Sequence, residues 1–112
     1  MDDQSLAGAS NEDGGSLAYL FWTTGSARRS YVRLKPDGTT IGSGARSEVV
    51  ISDEVAAPEQ ARIRVEDGAW FIYDLSAGGP TQIDGEDVYR AALRDGARVT
   101  LGRSSAVFRV VG

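Results

Sequence analysis

Few residues of this chain have the type and spacing needed to bind a phosphate or attack a carbonyl group. Gly42, Ser43 and Gly44 form a glycine-rich run, and the backbone N–H groups of such a run can cradle a phosphate. The Lys-Ser or Lys-Thr pair that completes a nucleotide-binding P-loop does not follow it. We therefore interpret this run as a turn between two strands.

Groups suited to catalysis are scarce as well. The chain contains no His and no Cys, so it lacks the commonest general base, the commonest transition-metal ligand and any thiolate. Neighbouring carboxylates such as Asp53 and Glu54 are not brought together by adjacency, because successive residues of a strand point to opposite faces. No serine has a His partner to activate it. The sequence therefore predicts no enzyme activity, no metal site and no cofactor.

The charges favour a protein or peptide partner over nucleic acid. The net charge is −4 from 16 acidic and 12 basic residues, but residues 1–16 contain four of the acidic residues and no basic one. The remainder is neutral and lacks the one-signed basic field that nucleic acids and anionic membranes select. The densest basic cluster, Arg28, Arg29 and Arg33, is either an anion site or a solvated hairpin end.

The length of the chain fits one domain. Residues 1–16 are polar and acidic, and we expect them to form a disordered leader before a single domain at residues 17–112. No apolar run approaches the ~20 residues that a spanning helix needs, and the N-terminus lacks the layout of a signal peptide. We therefore expect a cytoplasmic protein without direct membrane insertion.

From Leu17 onward, short runs rich in β-branched and aromatic residues alternate with turn signals such as Asp67-Gly68 and Asp84-Gly85, and apolar and polar residues alternate along Gln60–Glu66. This pattern predicts an all-β fold, a two-sheet sandwich of about ten or eleven short strands. The stretch from Ala91 to Leu93 is interpreted as a loop, because Asp95 and Gly96 end it at once. The predicted strands are Leu17–Thr23, Ser30–Leu34, Thr39–Gly42, Glu48–Ile51, Gln60–Glu66, Ala69–Leu75, Thr81–Ile83, Asp87–Tyr89, Arg98–Leu101 and Ala106–Val110.

The run from Leu17 to Trp22 departs from simple alternation, since it is apolar at successive positions. A strand of this composition is either covered on both faces or leaves an apolar patch exposed.

Two stretches, Thr40–Arg64 and Trp70–Gly85, carry a resemblance to a known family. The matching positions are Ile41-Gly42, Ala61-Arg62-Ile63, Asp74-Leu75, Thr81, Asp84-Gly85, Leu93, Gly96 and Leu101-Gly102. In this frame the chain resembles a forkhead-associated (FHA) domain over nearly all of residues 17–110. The resemblance implies a β-sandwich whose end loops bind phosphothreonine peptides.

The positions that hold the ligand in that family differ in this chain. The resemblance implies an arginine after the glycine, a Ser-Arg pair and an asparagine as ligand-binding residues, with a histidine that braces the loops. At those positions this chain has Ser43, Ala57, Pro58, Gly79 and Gln60. Losing two or three charge-assisted hydrogen bonds, each worth ~1.5–3 kcal/mol, would remove a modest peptide affinity.

The charge around these positions also disfavours phosphate. Between Ser43 and Gln60 the only basic residue is Arg46. The acidic residues of the same stretch are Glu48, Asp53, Glu54 and Glu59. This excess of negative charge would repel a dianion.

We therefore expect an FHA-like protein–protein interaction module, independent of phosphothreonine, of the kind used as adaptors in bacterial signalling, secretion or envelope assembly. One alternative is a phosphothreonine reader with rearranged donors. The other is a structural or self-association domain that uses Tyr19–Trp22. The candidate ligand-loop residues are Ser43, Arg46, Ser47, Arg62, Ser76 and Thr81.

Overall fold

The computed structural model describes residues 17–24, 30–76 and 81–111, and the regular structure in these ranges is entirely β-strand. The predicted all-β fold is confirmed. The strands of the described residues are β1 (Leu17–Thr24), β2 (Tyr31–Leu34), β3 (Thr39–Gly42), β4 (Val49–Val50), β5 (Ala61–Glu66), β6 (Ala69–Asp74), β7 (Thr81–Ile83), β8 (Glu86–Asp87), β9 (Arg90–Ala92), β10 (Arg98–Leu101) and β11 (Ser104–Val111).

The strands form two sheets. One has the order β9-β6-β5-β3-β4, and the other has the order β2-β1-β11-β10-β7-β8. Every pair is antiparallel except β3 with β4, which run parallel. Within the described ranges, no helix has the length and apolar composition needed to span a membrane.

Alternation along the strands places the core between the two sheets. In β5, Ala61 and Ile63 are buried while Arg62 is exposed, as expected for a strand with one wet face. The Phe108 ring of β11 meets the Trp70 ring of β6 edge to face, with 6.1 Å between the ring centroids. Other fully buried residues include Leu20, Leu34, Ile41, Ile51, Ile72, Val99 and Leu101.

Two hairpins close with the Asp-Gly turns that the sequence indicated. Asp67 and Gly68 have φ angles of 53° and 80°, and Asp84 and Gly85 have φ angles of 52° and 87°. Two-residue hairpin loops with positive φ at both positions match the twist of the flanking strands, and Asp followed by Gly adopts this conformation readily.

The prediction for residues 87–93 is wrong in two places. The structure has strand β8 at Glu86–Asp87 instead of Asp87–Tyr89, and it has strand β9 at Arg90–Ala92 where we predicted a loop. β9 forms because its residues pair with Phe71–Tyr73 at the edge of the five-stranded sheet. This pairing depends on a strand nearly twenty residues away, so the local pattern does not show it.

Replacing Phe108 by Ala should lower the free energy of unfolding by about 3–5 kcal/mol, because the change leaves a cavity beside Trp70. Urea denaturation followed by fluorescence measures this loss. Tyr89→Ala is the control, since Tyr89 is 80% exposed and its loss should cost less than about 0.5 kcal/mol. Equal losses in the two variants would contradict the placement of Phe108 in the core.

Candidate functional site

Three loops meet at one end of the sandwich: 43–48 after β3, 51–60 after β4, and the segment that follows β6. Ser43 N–H donates to Ala57 O at 3.0 Å, and Leu75 N–H donates to Gln60 O at 2.9 Å. An open hollow of about 460 Å³ lies between these loops. Its walls include Arg46, Ala57, Pro58, Glu59, Leu75 and Ser76.

The fully buried Gln60 side chain holds the loops together. Its Oε1 accepts a hydrogen bond from Ala57 N–H at 2.7 Å, and its Nε2 donates to Thr81 Oγ1 at 2.6 Å. Thr81 Oγ1 in turn donates to Asp74 Oδ1 at 2.8 Å. An amide carries both a donor and an acceptor, so this neutral side chain can brace several loops at once. The resemblance had placed the family's bracing histidine at this position.

Two predicted ligand-loop serines bond to the neighbouring loop. Ser43 Oγ donates to Ala56 O at 3.0 Å, and Ser47 Oγ donates to Pro58 O at 2.6 Å. A hydroxyl group has one proton to donate, so neither serine can donate to a ligand while these bonds persist.

Gly42 allows these loops to come so close together. A Cβ atom at this position would lie 2.1 Å from Pro58 O, far inside van der Waals contact. Any residue other than glycine would therefore push the loop after β3 away from the loop after β4.

Asp53 ties the same end of the sandwich to the turn between β10 and β11. Its carboxylate accepts hydrogen bonds from Ser104 Oγ at 2.7 Å and from the N–H groups of Arg103, Val55 and Ala56 at 2.8, 2.9 and 3.2 Å. Partial burial by itself raises the pKa of the Asp53 carboxyl, but these four bonds outweigh it and hold the pKa below its usual value.

The negative charge around the hollow is smaller than the sequence suggested. Glu48 forms an ion pair with Lys35, and the hydrogen bond from Lys35 lowers the pKa of Glu48. Asp53 stays ionised, but its carboxylate faces its four donors and does not line the hollow. Glu54 and Glu59 are exposed, and of these two Glu59 lines the hollow together with Arg46.

The structure brings two of the six predicted ligand-loop residues, Arg46 and Ser76, to the wall of the hollow. The Ser76 hydroxyl donates to Asp74 Oδ1 at 2.6 Å. Ser43, Ser47 and Thr81 serve the loop bracing described above.

Arg62 does not face the hollow, although we predicted it as a ligand-loop residue. Its Nη2 donates to Asp37 O at 2.9 Å, in the turn that precedes β3. That turn lies at the opposite end of β3 from the loop 43–48, so the guanidinium group points away from the site. Arg28, Arg29 and Gly79 lie outside the described residues.

Four residues that line the hollow were not predicted as site residues, namely Gly44, Ala45, Glu59 and Leu75. Leu75 matched the frame of the family and therefore gave no sign of a binding role, yet its side chain is exposed. The sequence did not signal this role, because Leu75 was placed inside a predicted strand and its exposure is visible only in the structure.

No group of His, Cys, Asp and Glu side chains among the described residues could hold a metal ion. The fold and the loop end together define a β-sandwich binding module. The chain belongs to the FHA domain family, since the model of that family matches residues 39–102. FHA domains are phosphopeptide-binding protein-interaction modules and are not a family of enzymes.

Among curated proteins, the chain is similar to the FHA domain-containing protein FhaB of Mycobacterium tuberculosis, with 27% identity over 84 residues. The match covers 75% of this chain and 51% of FhaB, so the chain spans about half the length of this relative.

Solved structures of FHA domains share the fold. The FHA domain of FhaA, complexed with the intracellular domain of Rv3910, superposes with a TM-score of 0.72 at 24% identity and covers 82% of this chain and 99% of its own. The FHA domain of the CT664 protein from Chlamydia trachomatis gives a TM-score of 0.76 at 19% identity, and the match covers 87% of this chain and 100% of the CT664 domain.

Replacing Gln60 by Leu should lower the free energy of unfolding by about 2–4 kcal/mol, because Ala57 N–H and Thr81 Oγ1 lose their buried partner. Chemical denaturation measures the loss, and hydrogen exchange should show faster opening of residues 57–60. Gln82→Leu is the matched control, since Gln82 bonds to Asp87 at the surface. A loss no larger than in this control would show that the brace contributes little.

Replacing Asp53 by Asn should lower stability near pH 7, and the difference from the wild type should narrow in acid. The pKa of Asp53 in the folded state lies below its ordinary value of 3.8. Its contribution is therefore full above the unfolded-state pKa and is lost as the pH falls through the folded-state pKa. Denaturation at pH values between about 7 and 3 checks this. Glu54→Gln, at an exposed neighbouring position, is the control, and a constant difference across the range would contradict the prediction for Asp53.

Proposed function

We propose that this domain is a non-enzymatic protein-interaction module, an adaptor in bacterial signalling, secretion or envelope assembly, whose loop end binds its partner without needing phosphothreonine. The observation that carries this proposal is the internal use of the loop donors. Ser43 and Ser47 donate through both their hydroxyl and their N–H groups to atoms of these same loops. Pro58 has no N–H group, and Ala57 N–H is bonded to Gln60.

A phosphothreonine requires more donors and positive charge than the described residues of these loops offer. It carries close to two negative charges and three strong acceptor oxygens. Arg46 is the one cation among the described residues that line the hollow, and one charge-assisted bond contributes about 1.5–3 kcal/mol. Micromolar affinity corresponds to about 8 kcal/mol, and Glu59 on the same wall opposes a dianion.

The hollow is better suited to an unmodified segment of a partner. Ala57, Pro58 and Leu75 give it apolar walls, while Arg46 and Glu59 place one charge of each sign at its edge. An apolar side chain flanked by a polar or charged group would fit this arrangement, since binding sites combine apolar area with a few placed polar groups. The FhaA structure with the intracellular domain of Rv3910 supports a protein as the partner.

A phosphothreonine reader with rearranged donors is the second candidate. It is favoured by the presence of both Arg46 and Ser76 on the wall of the hollow. On this hypothesis, Arg46→Ala abolishes binding of a phosphorylated peptide.

The test is a titration of the isotope-labelled domain with matched pools of peptides that differ only in the phosphate on threonine. We expect any chemical-shift changes in residues 43–60 to be the same with both pools, because the donors of Ser43, Ser47 and Ala57 are already bonded within the loops. Saturable changes that require the phosphate and disappear in Arg46→Ala, but persist in Arg94→Ala at the opposite end, would establish the phosphothreonine reader instead.

A further inference from the structure

The outer face of the six-stranded sheet carries a second surface that the loop-end function does not use. Along β1, Leu17, Tyr19 and Phe21 point outward and alternate with Ala18 and Leu20, which are fully buried in the core. Of the two interpretations of the apolar run Leu17–Trp22, the structure therefore supports the one with an exposed apolar patch.

Neighbouring strands extend this surface. Phe21 is paired with Tyr31 of β2 and with Val107 of β11, and Leu17 is paired with Val111. The rings of Tyr19, Phe21 and Tyr31 lie in mutual contact, with centroids 5.8 to 6.1 Å apart. We call this surface the aromatic face. It consists of Leu17, Tyr19, Phe21, Tyr31, Val107 and Val111.

Four of the six side chains of the aromatic face are exposed, namely those of Leu17, Phe21, Tyr31 and Val111. Phe21 is 42% exposed, Tyr31 is 52% exposed and Val111 is 56% exposed. Half of the eight large apolar side chains that are exposed among the described residues lie on this one face. A hollow of about 470 Å³ opens on it, lined by Phe21, Val107, Arg109 and Val111. Clustered apolar exposure of this kind marks an interaction site.

The other sheet shows that this exposure is not a general property of the fold. On the outer face of the five-stranded sheet, the Arg90 guanidinium carbon lies 4.1 Å from the centre of the Phe71 ring. The Arg64 guanidinium carbon lies 5.4 Å from the centre of the Tyr73 ring. Those rings are covered by cations of the same chain, whereas the rings of the aromatic face are stacked only on one another among the described contacts.

The charge of the aromatic face has one sign. In the strand register Tyr19 is flanked by Arg33 on β2 and by Arg109 on β11. No Asp or Glu occurs in β1, β2 or β11, and the carboxylate bonded to Arg109 belongs to Asp95 in a turn. Aromatic residues and arginine without Lys, Asp or Glu are the composition typical of an interface core.

We propose that the aromatic face docks a partner protein through an apolar segment that also carries carboxylates. The apolar side chains of that segment would cover Phe21 and Tyr31, and a carboxylate would pair with Arg33. This inference is independent of the loop-end function, because none of these residues lines the loop-end hollow.

A second copy of this chain is a poorer occupant. Two aromatic faces packed against each other would place the Arg33 side chains of both copies in one interface, and the strands of the face supply no carboxylate to pair with them. The area is small as well. Three strands about 4.8 Å apart and five residues of about 3.4 Å each give roughly 250 Å², whereas stable interfaces bury about 800 Å² on each partner. The area of the aromatic face is suited to one short segment of a partner protein.

The experiment is a selection of short random peptides displayed on phage, performed on the wild-type domain with counter-selection on Phe21→Ser. The enriched peptides should combine apolar residues with Asp or Glu. A synthetic peptide of the enriched sequence should bind roughly tenfold or more weakly to Phe21→Ser and to Arg33→Glu, since interface anchors concentrate binding energy. The same peptide with Lys in place of its acidic residues should prefer Arg33→Glu over the wild type.

Matched variants separate this surface from others. Three variants outside the aromatic face should leave the peptide affinity unchanged. Tyr89→Ser changes an exposed aromatic residue, Arg94→Glu changes an exposed cation, and Leu75→Ser changes the loop-end hollow. Tyr31→Ser tests the same face as Phe21→Ser at a more exposed position, and near-ultraviolet circular dichroism shows whether each variant is folded.

Several results would overturn the proposal. These are a selection that enriches no peptide, enriched peptides without acidic residues, and equal binding by Arg33→Glu. Sedimentation that shows a dimer lost in Phe21→Ser would assign the face to a second copy of this chain. Binding to vesicles with anionic headgroups that is lost in the same variant would assign it to a lipid surface.

Discussion

The amide of Gln60 bonds through its oxygen to Ala57 N–H in its own loop and through its nitrogen to Thr81 at the start of β7, and the shape of the loop end depends on these bonds. A buried amide left without partners would cost about 1–3 kcal/mol for each unmade bond. The fold therefore favours the single arrangement in which Ala57 N–H and Thr81 Oγ1 both reach Gln60. Asp53 provides a similar constraint from the β10–β11 side. Together they make the hollow a preformed feature.

The bonds that brace the loops occupy donors that could otherwise bind an anion. The same hydroxyl and N–H groups that would face an anionic ligand are used to hold one loop against the next, as Ser43 and Ser47 show. A group that donates within the protein is not available to a phosphate without breaking a bond first. The family frame is thus retained, while the exposed chemistry of the loop end is mainly apolar, with Arg46 and Glu59 at its edge.

The two proposed surfaces lie on different parts of the sandwich. The loop end is formed by segments that leave β3, β4 and β6, whereas the aromatic face lies across β2, β1 and β11. Strand β1 contributes Ala18 and Leu20 to the core and Tyr19 and Phe21 to the surface, so the core fixes the position of the aromatic rings. On the two proposals, the partners would occupy separate surfaces of the sandwich.

The sequence by itself determined the features that neighbouring residues encode. Alternation predicted β5, and the Asp-Gly pairs predicted the turns at residues 67–68 and 84–85. Short motifs also indicated the FHA frame. Strand β9 could not be predicted from the sequence, because it exists only through pairing with Phe71–Tyr73.

Only the tertiary structure decided which donors bond within the protein and which surfaces are exposed. Arg62 belonged to a matching motif, yet its guanidinium group bonds to Asp37 O at the far end of β3. Asp53 meets Ser104 across 51 residues of sequence. Likewise, one face of β1 is exposed because no other layer formed by the described residues covers it. The partner of a hydrogen-bonding group and the burial of a strand face depend on which distant segments the fold brings together. Local sequence patterns do not encode these long-range contacts.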